Sequence, residues 1–428
     1  MMPTARIRAI VCMCVAAALL VTLLGGSTFA ASADPRRKIV MLYEPLTQKV
    51  LDDLAAARIT VLYDLALIDA VAVLLPDSPL LGPALALLNG LGEVSDDVLT
   101  FIDPICPTGA LPTGPEYRWG MEQSKAHAAH DDLGPNPSQP GAVTVAVLDT
   151  GTASHSELNR RVVQGYDAIV KTEGQPGDGH GHGTHMAGII LANRNNGGVV
   201  GVAGVAPAAS KVVVAPVKVL YNDGTGYVSA VINGLQWVFN NRNNRGIRLV
   251  NMSFGFSFQN QKDANPLMQA IQELFRAGIV MVASAGNACC AGGVCEDSGG
   301  DDCGPGANCT PSGTGMTAPA AYPEVIAVGA IDINGRIPTY STYSQPGPDV
   351  LAPGGAPLSG APDNGEILST NNVGFGRGHG TSQAAACVTG AIALALSLKP
   401  DLLPQAVTNL VTRNAVLDVR DMINALPR

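Results

Sequence analysis

GHGTSQAAACVTG, residues 378–390, sets a short polar turn against the long apolar run 384–398. An uncharged apolar run of that length reads as a buried helix, and Ser382, just after Gly380 and Thr381, falls in its first turn. A helix start leaves N–H groups unpaired and carries a partial positive charge. Negative charge developing on an attacked carbonyl oxygen would be stabilised there, which makes Ser382 a candidate nucleophile. Taken alone, the pattern is equally that of a helix cap, where Ser and Thr are favoured.

The residues upstream separate the two readings. An apolar run at 143–148 ends in Asp149-Thr150-Gly151, as a buried parallel strand does when it delivers a carboxylate at its C-terminal end. His180-Gly181-His182-Gly183-Thr184-His185 then opens a helical stretch, 186–192. Asp, His and Ser, each at the edge of a core element, supply a nucleophile, its base and the group that orients the base. Asp149-Thr150-Gly151, the segment HGTHMAG at 182–188 and Gly380-Thr381-Ser382-Gln383-Ala384 resemble the three signature blocks of the subtilisin-like serine proteases, the subtilases, in that family's chain order. The resemblance implies a serine endopeptidase that hydrolyses polypeptide substrates through an acyl-enzyme intermediate. It also implies an α/β fold of three layers, a mainly parallel central sheet with helices on both faces, preceded by a small α/β pro-domain.

The pattern of the chain agrees with that architecture. Strands are expected at 143–148, 211–219, 248–252, 278–283 and 325–330, and helices at 183–192, 227–240, 266–277 and 382–398. The site of such a sheet lies at the carboxyl ends of its strands. Asp149, Ser253 and Asn287 all follow strands at that edge.

An imidazole titrating near 6.5 can take the Ser382 proton at neutral pH and return it to the leaving amine, the role expected of His182. Asp149 would accept from the other ring nitrogen and fix the tautomer. The rival is a metal site from His180, His182 and His185 with Asp178 beside them, which would leave Ser382 and Asp149 unexplained. In Ala283-Ser284-Ala285-Gly286-Asn287 the amide of Asn287, which matches the family's equivalent Asn, can hold the oxyanion together with the Ser382 main-chain N–H. Gly-Asn is also ordinary turn chemistry.

By the same resemblance, Ser253, Phe254 and Gly255 form the strand beside which a substrate lies, with Phe256 where the family has Gly. Phe256 is open to two readings: it floors the side-chain pocket, or it turns into the core. Gln383, Ala386 and Cys387 also depart from the family after the nucleophile and bear on specificity and helix packing. The loop 195–202 corresponds to one that often wraps calcium in the family. Its ligands would be Glu157, Asn196, Val200 and Val202, and a calcium-free turn is the alternative. No cofactor is required for the chemistry.

Before the catalytic domain the chain falls into three parts. Residues 1–33, with Arg6 and Arg8, an apolar segment at 9–24 and Ala31-Ser32-Ala33, read as an export signal, too short for the roughly 20 residues of a membrane span. A secreted protein without a stable membrane anchor is expected. Residues 34–103 alternate strands at 38–42, 59–63 and 69–75 with helices at 46–57 and 80–91. Their position, length and the phrase at 68–73 resemble the family's pro-segment, an intramolecular inhibitor whose last strand, near 98–103, would enter the groove beside 253–255. A domain that simply stays attached is the other reading. Residues 104–117, with Pro107, Gly109, Pro112 and Gly114, form a linker and processing region.

The catalytic domain, 118–428, carries an insertion at 288–318 with Cys289, Cys290, Cys295, Cys303 and Cys309. In an exported protein these read as disulfides, with Cys106 as a sixth partner or one thiol left over. A zinc knuckle is disfavoured, since His and Cys-x-x-Cys spacing are absent there.

Only 14% of the 428 residues are charged and 4% aromatic, with 49 Gly and 30 Pro, which describes a loop-rich globular chain. A net charge of −9 with no basic stripe argues against nucleic acid as a partner. Peptide transfer or ring closure on the same fold, and a non-catalytic binding protein, are the competing functions.

Overall fold

The computed structural model describes residues 34–100, 102, 105–107, 118–133, 141–194, 199–204, 211–287, 315–343 and 346–427. The readings of 1–33 as a signal, of Asn196 and of the five insertion cysteines lie outside those residues.

The N-terminal unit is built from β1 (Arg37–Leu42), α1 (Gln48–Ala56), β2 (Thr60–Leu65), β3 (Ala70–Leu74), α2 (Leu81–Leu91) and β4 (Gly92–Asp96). Its sheet has the order β2-β3-β1-β4 with every neighbour antiparallel, a split βαβ arrangement. Alternation along each strand gives the sheet two apolar faces. Val40, Val71 and Val73 pack under Leu54, Ala84 and Leu88 of the helices. Ile39, Tyr63, Leu65 and Ala72 on the opposite face join the core of the larger domain. Strand β4, reading GEVSD, was not expected, because a lone Val among Gly, Glu, Ser and Asp gives no apolar run.

Beyond it come β5 (Leu99–Thr100), β6 (Cys106–Pro107), α3 (Trp119–Gln123), α4 (Ala126–Leu133), β7 (Val143–Asp149), β8 (Gly165–Asp167), β9 (Thr172–Gly174), α5 (His182–Leu191), β10 (Val212–Lys218), β11 (Gly226–Tyr227), α6 (Val228–Asn241) and β12 (Ile247–Met252). They are followed by α7 (Gln261–Arg276), β13 (Val280–Ser284), β14 (Ile326–Ile331), β15 (Val350–Pro353), β16 (Ile367–Asn371), β17 (Gly374–Gly378), α8 (Thr381–Leu398), α9 (Pro404–Val411) and α10 (Val419–Asn424).

The large sheet has the order β15-β14-β13-β12-β7-β10-β8-β9 and is parallel except for the β8–β9 hairpin. All seven residues of β7 are buried. Val143, Val145 and Val147 face the layer of α5 and α8, while Ala146 and Leu148 face α6 and α7. Burial on both faces is why the central strands read as unbroken apolar runs. The fold is the expected three-layer α/β architecture.

Of the elements expected in the catalytic domain, one has a boundary displaced by more than two residues. Helix α7 begins at Gln261 and not at Pro266, with the Asn260 side chain accepting from the Asp263 N–H as its cap and Pro266 inside the helix. The polar stretch 260–265 carries no apolar period, so that first turn was not visible in the sequence.

The two units meet at helix starts. Tyr227 offers α6 no side-chain cap. The carboxylate of Asp97 supplies one from the N-terminal unit, accepting from the Ser229 N–H at 2.9 Å and its hydroxyl at 2.7 Å, with Arg37 2.8 Å away. Burial pushes the Asp97 carboxyl up in spite of that guanidinium. The Asp96 N–H likewise donates to Asp263 in the first turn of α7, at 2.8 Å.

Candidate active site

Asp149 ends β7, His182 is the first residue of α5 and Ser382 the second of α8. The fold brings the first two into direct contact: His182 Nδ1 lies 2.9 Å from each carboxylate oxygen of Asp149. Because a carboxylate only accepts, Nδ1 carries the ring proton and Nε2 is the basic nitrogen. Asp149 is fully buried and His182 nearly so. The close approach needs Gly183, where a Cβ would stand 2.1 Å from the Gly151 carbonyl oxygen and 3.1 Å from the Asp149 side chain.

The start of α5 is organised by two residues. Thr150 Oγ1 accepts from the Gly183 N–H at 3.0 Å and donates to Asp178 at 2.8 Å. The Asp178 carboxylate also accepts from the N–H groups of His180, Gly181 and Thr184 at 3.0, 2.7 and 2.9 Å and from the Thr184 hydroxyl at 2.7 Å. Gly181, the residue before the helix, has no side chain to cap it. Asp178 therefore does so from three residues away, and in doing so ties the end of β7 to the helix that carries His182. Sequence reading placed Asp178 only in the rival metal site. The signal was there: an Asp shortly before an uncapped Gly at a helix start.

The three histidines do not converge. His182 turns to Asp149, His185 Nε2 donates to the Ile367 carbonyl at 3.2 Å, and the His180 ring centre is 6.3 Å from that of His182. Burial holds His185 down to about 3 and lowers His180 as well, with His182 as a secondary cause in both. Among the described residues, no three His, Cys, Asp or Glu side chains are grouped to hold a metal ion.

Ser382 sits on a second polar chain. Its hydroxyl donates to the Ser253 carbonyl at 3.0 Å, and Ser253 Oγ donates back to the Ser382 carbonyl at 3.1 Å. Asn251 Nδ2 donates to Ser253 Oγ at 2.9 Å, and Thr389 Oγ1 to Asn251 Oδ1 at 2.9 Å. Asn251 and Thr389 were missed as site residues. Each is a buried polar group inside an apolar element, which is the cue that could have found them.

Asn287 follows β13 and is exposed to the cleft. Its amide oxygen accepts from the Thr381 N–H at 2.9 Å and the Thr381 hydroxyl at 2.8 Å, so the amide nitrogen remains as the outward donor. Gly380 is needed beneath it, since a Cβ there would stand 3.0 Å from Asn287 Nδ2.

Phe256 is settled as a core residue. It is 1% exposed, lies between Phe254 at 5.9 Å and Phe258 at 6.0 Å, and its main chain pairs with Ala318. Phe254 is also buried, so of the three residues read as the substrate strand it presents no ring to the cleft. Cys387 is buried on α8, and burial pushes its thiol up to about 12.

The end of the N-terminal unit meets β11 and Gly255. Leu99 and Thr100 pair antiparallel with Tyr227 and Gly226, the Ile102 N–H donates to the Gly224 carbonyl at 3.1 Å, and Thr100 Oγ1 donates to the Gly255 carbonyl. Ile105 is buried where a Cβ on Gly378, four residues before Ser382, would meet its Cδ1, and Cys106 and Pro107 pair antiparallel with Arg377 and Gly376.

The proposed calcium ligands are placed as follows. Glu157, Val200 and Val202 are buried, and the Val202 carbonyl accepts from His130 Nε2 at 2.7 Å. Asn193 joins the group through its N–H to the Glu157 carbonyl at 2.8 Å and its Oδ1, which accepts from the buried Arg161 Nε at 2.9 Å. A guanidinium buried at this place already supplies positive charge, so these residues fit a calcium ion poorly.

A fold of this topology with this site is that of the subtilisin-like peptidases, and the comparisons agree. The profile of the Subtilase family matches residues 141–425. The chain is 35% identical to Subtilisin Savinase of Lederbergia lenta over 284 residues, covering 66% of this chain and 85% of that protein. It is 35% identical to Subtilisin DY of Bacillus licheniformis over 274 residues, covering 64% and 83%. The crystal structure of the S393A mutant of the epidermin leader peptide processing serine protease EpiP from Staphylococcus aureus superposes with a TM-score of 0.68 at 19% identity, over 91% of this chain and 99% of that one. The chain belongs to the subtilase family and is a serine endopeptidase.

Proposed function

We propose that the chain cleaves polypeptides through Asp149, His182 and Ser382. The reading rests on one observation above the others: the two hydrogen bonds that hold His182 Nδ1 on Asp149, at the end of β7, with Ser382 in the first turn of α8. His182 Nε2 takes the proton as Ser382 Oγ leaves the Ser253 carbonyl and attacks the substrate carbonyl carbon. Asn287 Nδ2 and the Ser382 N–H hold the oxyanion. His182 then returns its proton to the leaving amine, and water hydrolyses the acyl-enzyme by the same steps in reverse roles.

The N-terminal unit is the chain's own inhibitor in this proposal. Its tail lies along β11 and beside Gly255 as an extended substrate would. Residues 1–33 direct export, so the protein acts outside the cytoplasm with its insertion cysteines oxidised. The loop near Glu157 is held by Arg161 and Asn193 without calcium.

A serine-reactive fluorophosphonate, with the label mapped by mass spectrometry, tests the assignment. Label is expected on Ser382 and is lost in His182→Ala. Ser382→Ala is expected to accumulate as precursor. Full proteolysis by Ser382→Ala would overturn the reading.

A further inference from the structure

We propose that Lys218 is a positioning residue for the triad: its buried side chain fixes the main chain of Thr150, which orients Asp149, and its charge opposes protonation of His182. The proposal rests on Asp149, His182 and Ser382 as the triad. Lys218 ends β10, an otherwise apolar strand, and pairs in parallel register with Asp149 on one side and Asp167 on the other. It is only 8% exposed. Lysine is seldom buried unless its charge is held.

Three oxygens surround Lys218 Nζ. It donates to the Thr150 carbonyl, and at 2.9 Å to both the Leu220 carbonyl and Asn222 Oδ1. Each of these oxygens only accepts, so Nζ carries three protons and a positive charge. Its contacts are thus with neutral groups, while the carboxylates that feel the charge, Asp178, Asp167, Asp149 and Asp223, lie further out. Burial pushes the ammonium down, and those four carboxylates act against that.

Thr150 is the link to the site. Lys218 holds its carbonyl, and its N–H donates to Asp149 Oδ1 at 2.7 Å, the oxygen that also accepts from His182 Nδ1 at 2.9 Å. The Asp149 carbonyl is tied to the same strand end, accepting from the Val219 and Leu220 N–H groups at 2.9 and 3.2 Å. A carboxylate displaced from this position no longer holds the imidazole in the right tautomer and orientation. The titratable groups around His182 are Asp149 from β7, Asp178 and His180 from the turn before α5, His185 from α5 and Lys218 from β10. Burial lowers both His180 and His185, which leaves Lys218 as the cation of this group at neutral pH.

The test uses the enzyme as it is exported, with a peptide anilide that has residues only before the cut. Lys218→Met and Lys218→Gln remove the charge, and Lys218→Arg keeps it. In Lys218→Met, kcat should fall about 10-fold, as for loss of one charge-assisted hydrogen bond, with KM within about twofold. The acid limb of kcat/KM should move up by about half to one pH unit in both neutral variants, because the imidazolium forms more easily without a cation nearby. Lys218→Arg should leave the limb in place. The pH dependence of fluorophosphonate labelling at Ser382 should move with it, and urea midpoints report whether each variant is folded. A folded neutral variant with wild-type kcat and an unmoved limb overturns the proposal. A lower kcat with an unmoved limb overturns the role of the charge, and a moved limb with wild-type kcat overturns the positioning role. Unfolding of both neutral variants makes Lys218 a folding residue and also overturns the proposal. Wild-type enzyme that turns over the anilide with Ser382 unlabelled overturns the triad assignment instead.

Discussion

Thr381→Val removes one hydroxyl and leaves the helix start otherwise intact. In the folded protein that hydroxyl donates to Asn287 Oδ1 at 2.8 Å and accepts from the Gly286 N–H at 3.3 Å. The Thr381 N–H remains as the second support of the same oxygen, at 2.9 Å. Losing one of two neutral hydrogen bonds costs about 1 kcal/mol, hence about fivefold in the population of Asn287 turned toward the oxyanion. Removing the donor itself, in Asn287→Ala, should cost about 10²–10³ in kcat. The assay is steady-state hydrolysis of a peptide anilide by both single variants and the double variant. Thr381→Val should lower kcat about fivefold with KM unchanged, because the interaction is made in the transition state. In the Asn287→Ala background the same change should cost almost nothing. If Thr381→Val is equally harmful in both backgrounds, its hydroxyl does not act through Asn287 and the argument fails.

Asp178→Ala leaves three N–H groups at the start of α5 without their acceptor and should lower unfolding stability by about 2–4 kcal/mol in urea; an unchanged midpoint would refute the capping role. Burial holds His130 down at about 4, and the neutral ring donates to Val202. Its folded value lies below the ordinary 6.5, so stability is present above 6.5 and lost as pH falls toward 4, by at most roughly 3 kcal/mol. Urea midpoints at pH 7 and 4.5 should show this, with a shallower fall in His130→Gln. Calcium chelation should leave the Tm within about 1 °C, and a large drop would place an ion near Glu157 after all.

Much of the architecture was legible because its signals are local. The apolar run of β7, the Gly and Thr around His182 and the turn before Ser382 each declare an element and its end within a few residues. Their order along the chain pointed to the family without any contact being known. The first turn of α7 and strand β4 were not legible, since their polar residues show no period and are held by neighbours distant in sequence.

What only the tertiary structure decided are the questions answered across the chain. Whether Phe256 floors a pocket or joins the core depends on Phe254, Phe258 and Ala318, and periodicity does not tell which way a ring turns at the end of a strand. Three histidines in six residues resemble ligands until the helix points His185 at Ile367 and His182 at Asp149. Asp178 became the clamp between β7 and α5 only when Thr150, 28 residues earlier, came within 2.8 Å. A side chain's type is set by the sequence, but its partner is set by which strands lie side by side, and that is fixed by burial of both faces of the sheet at once.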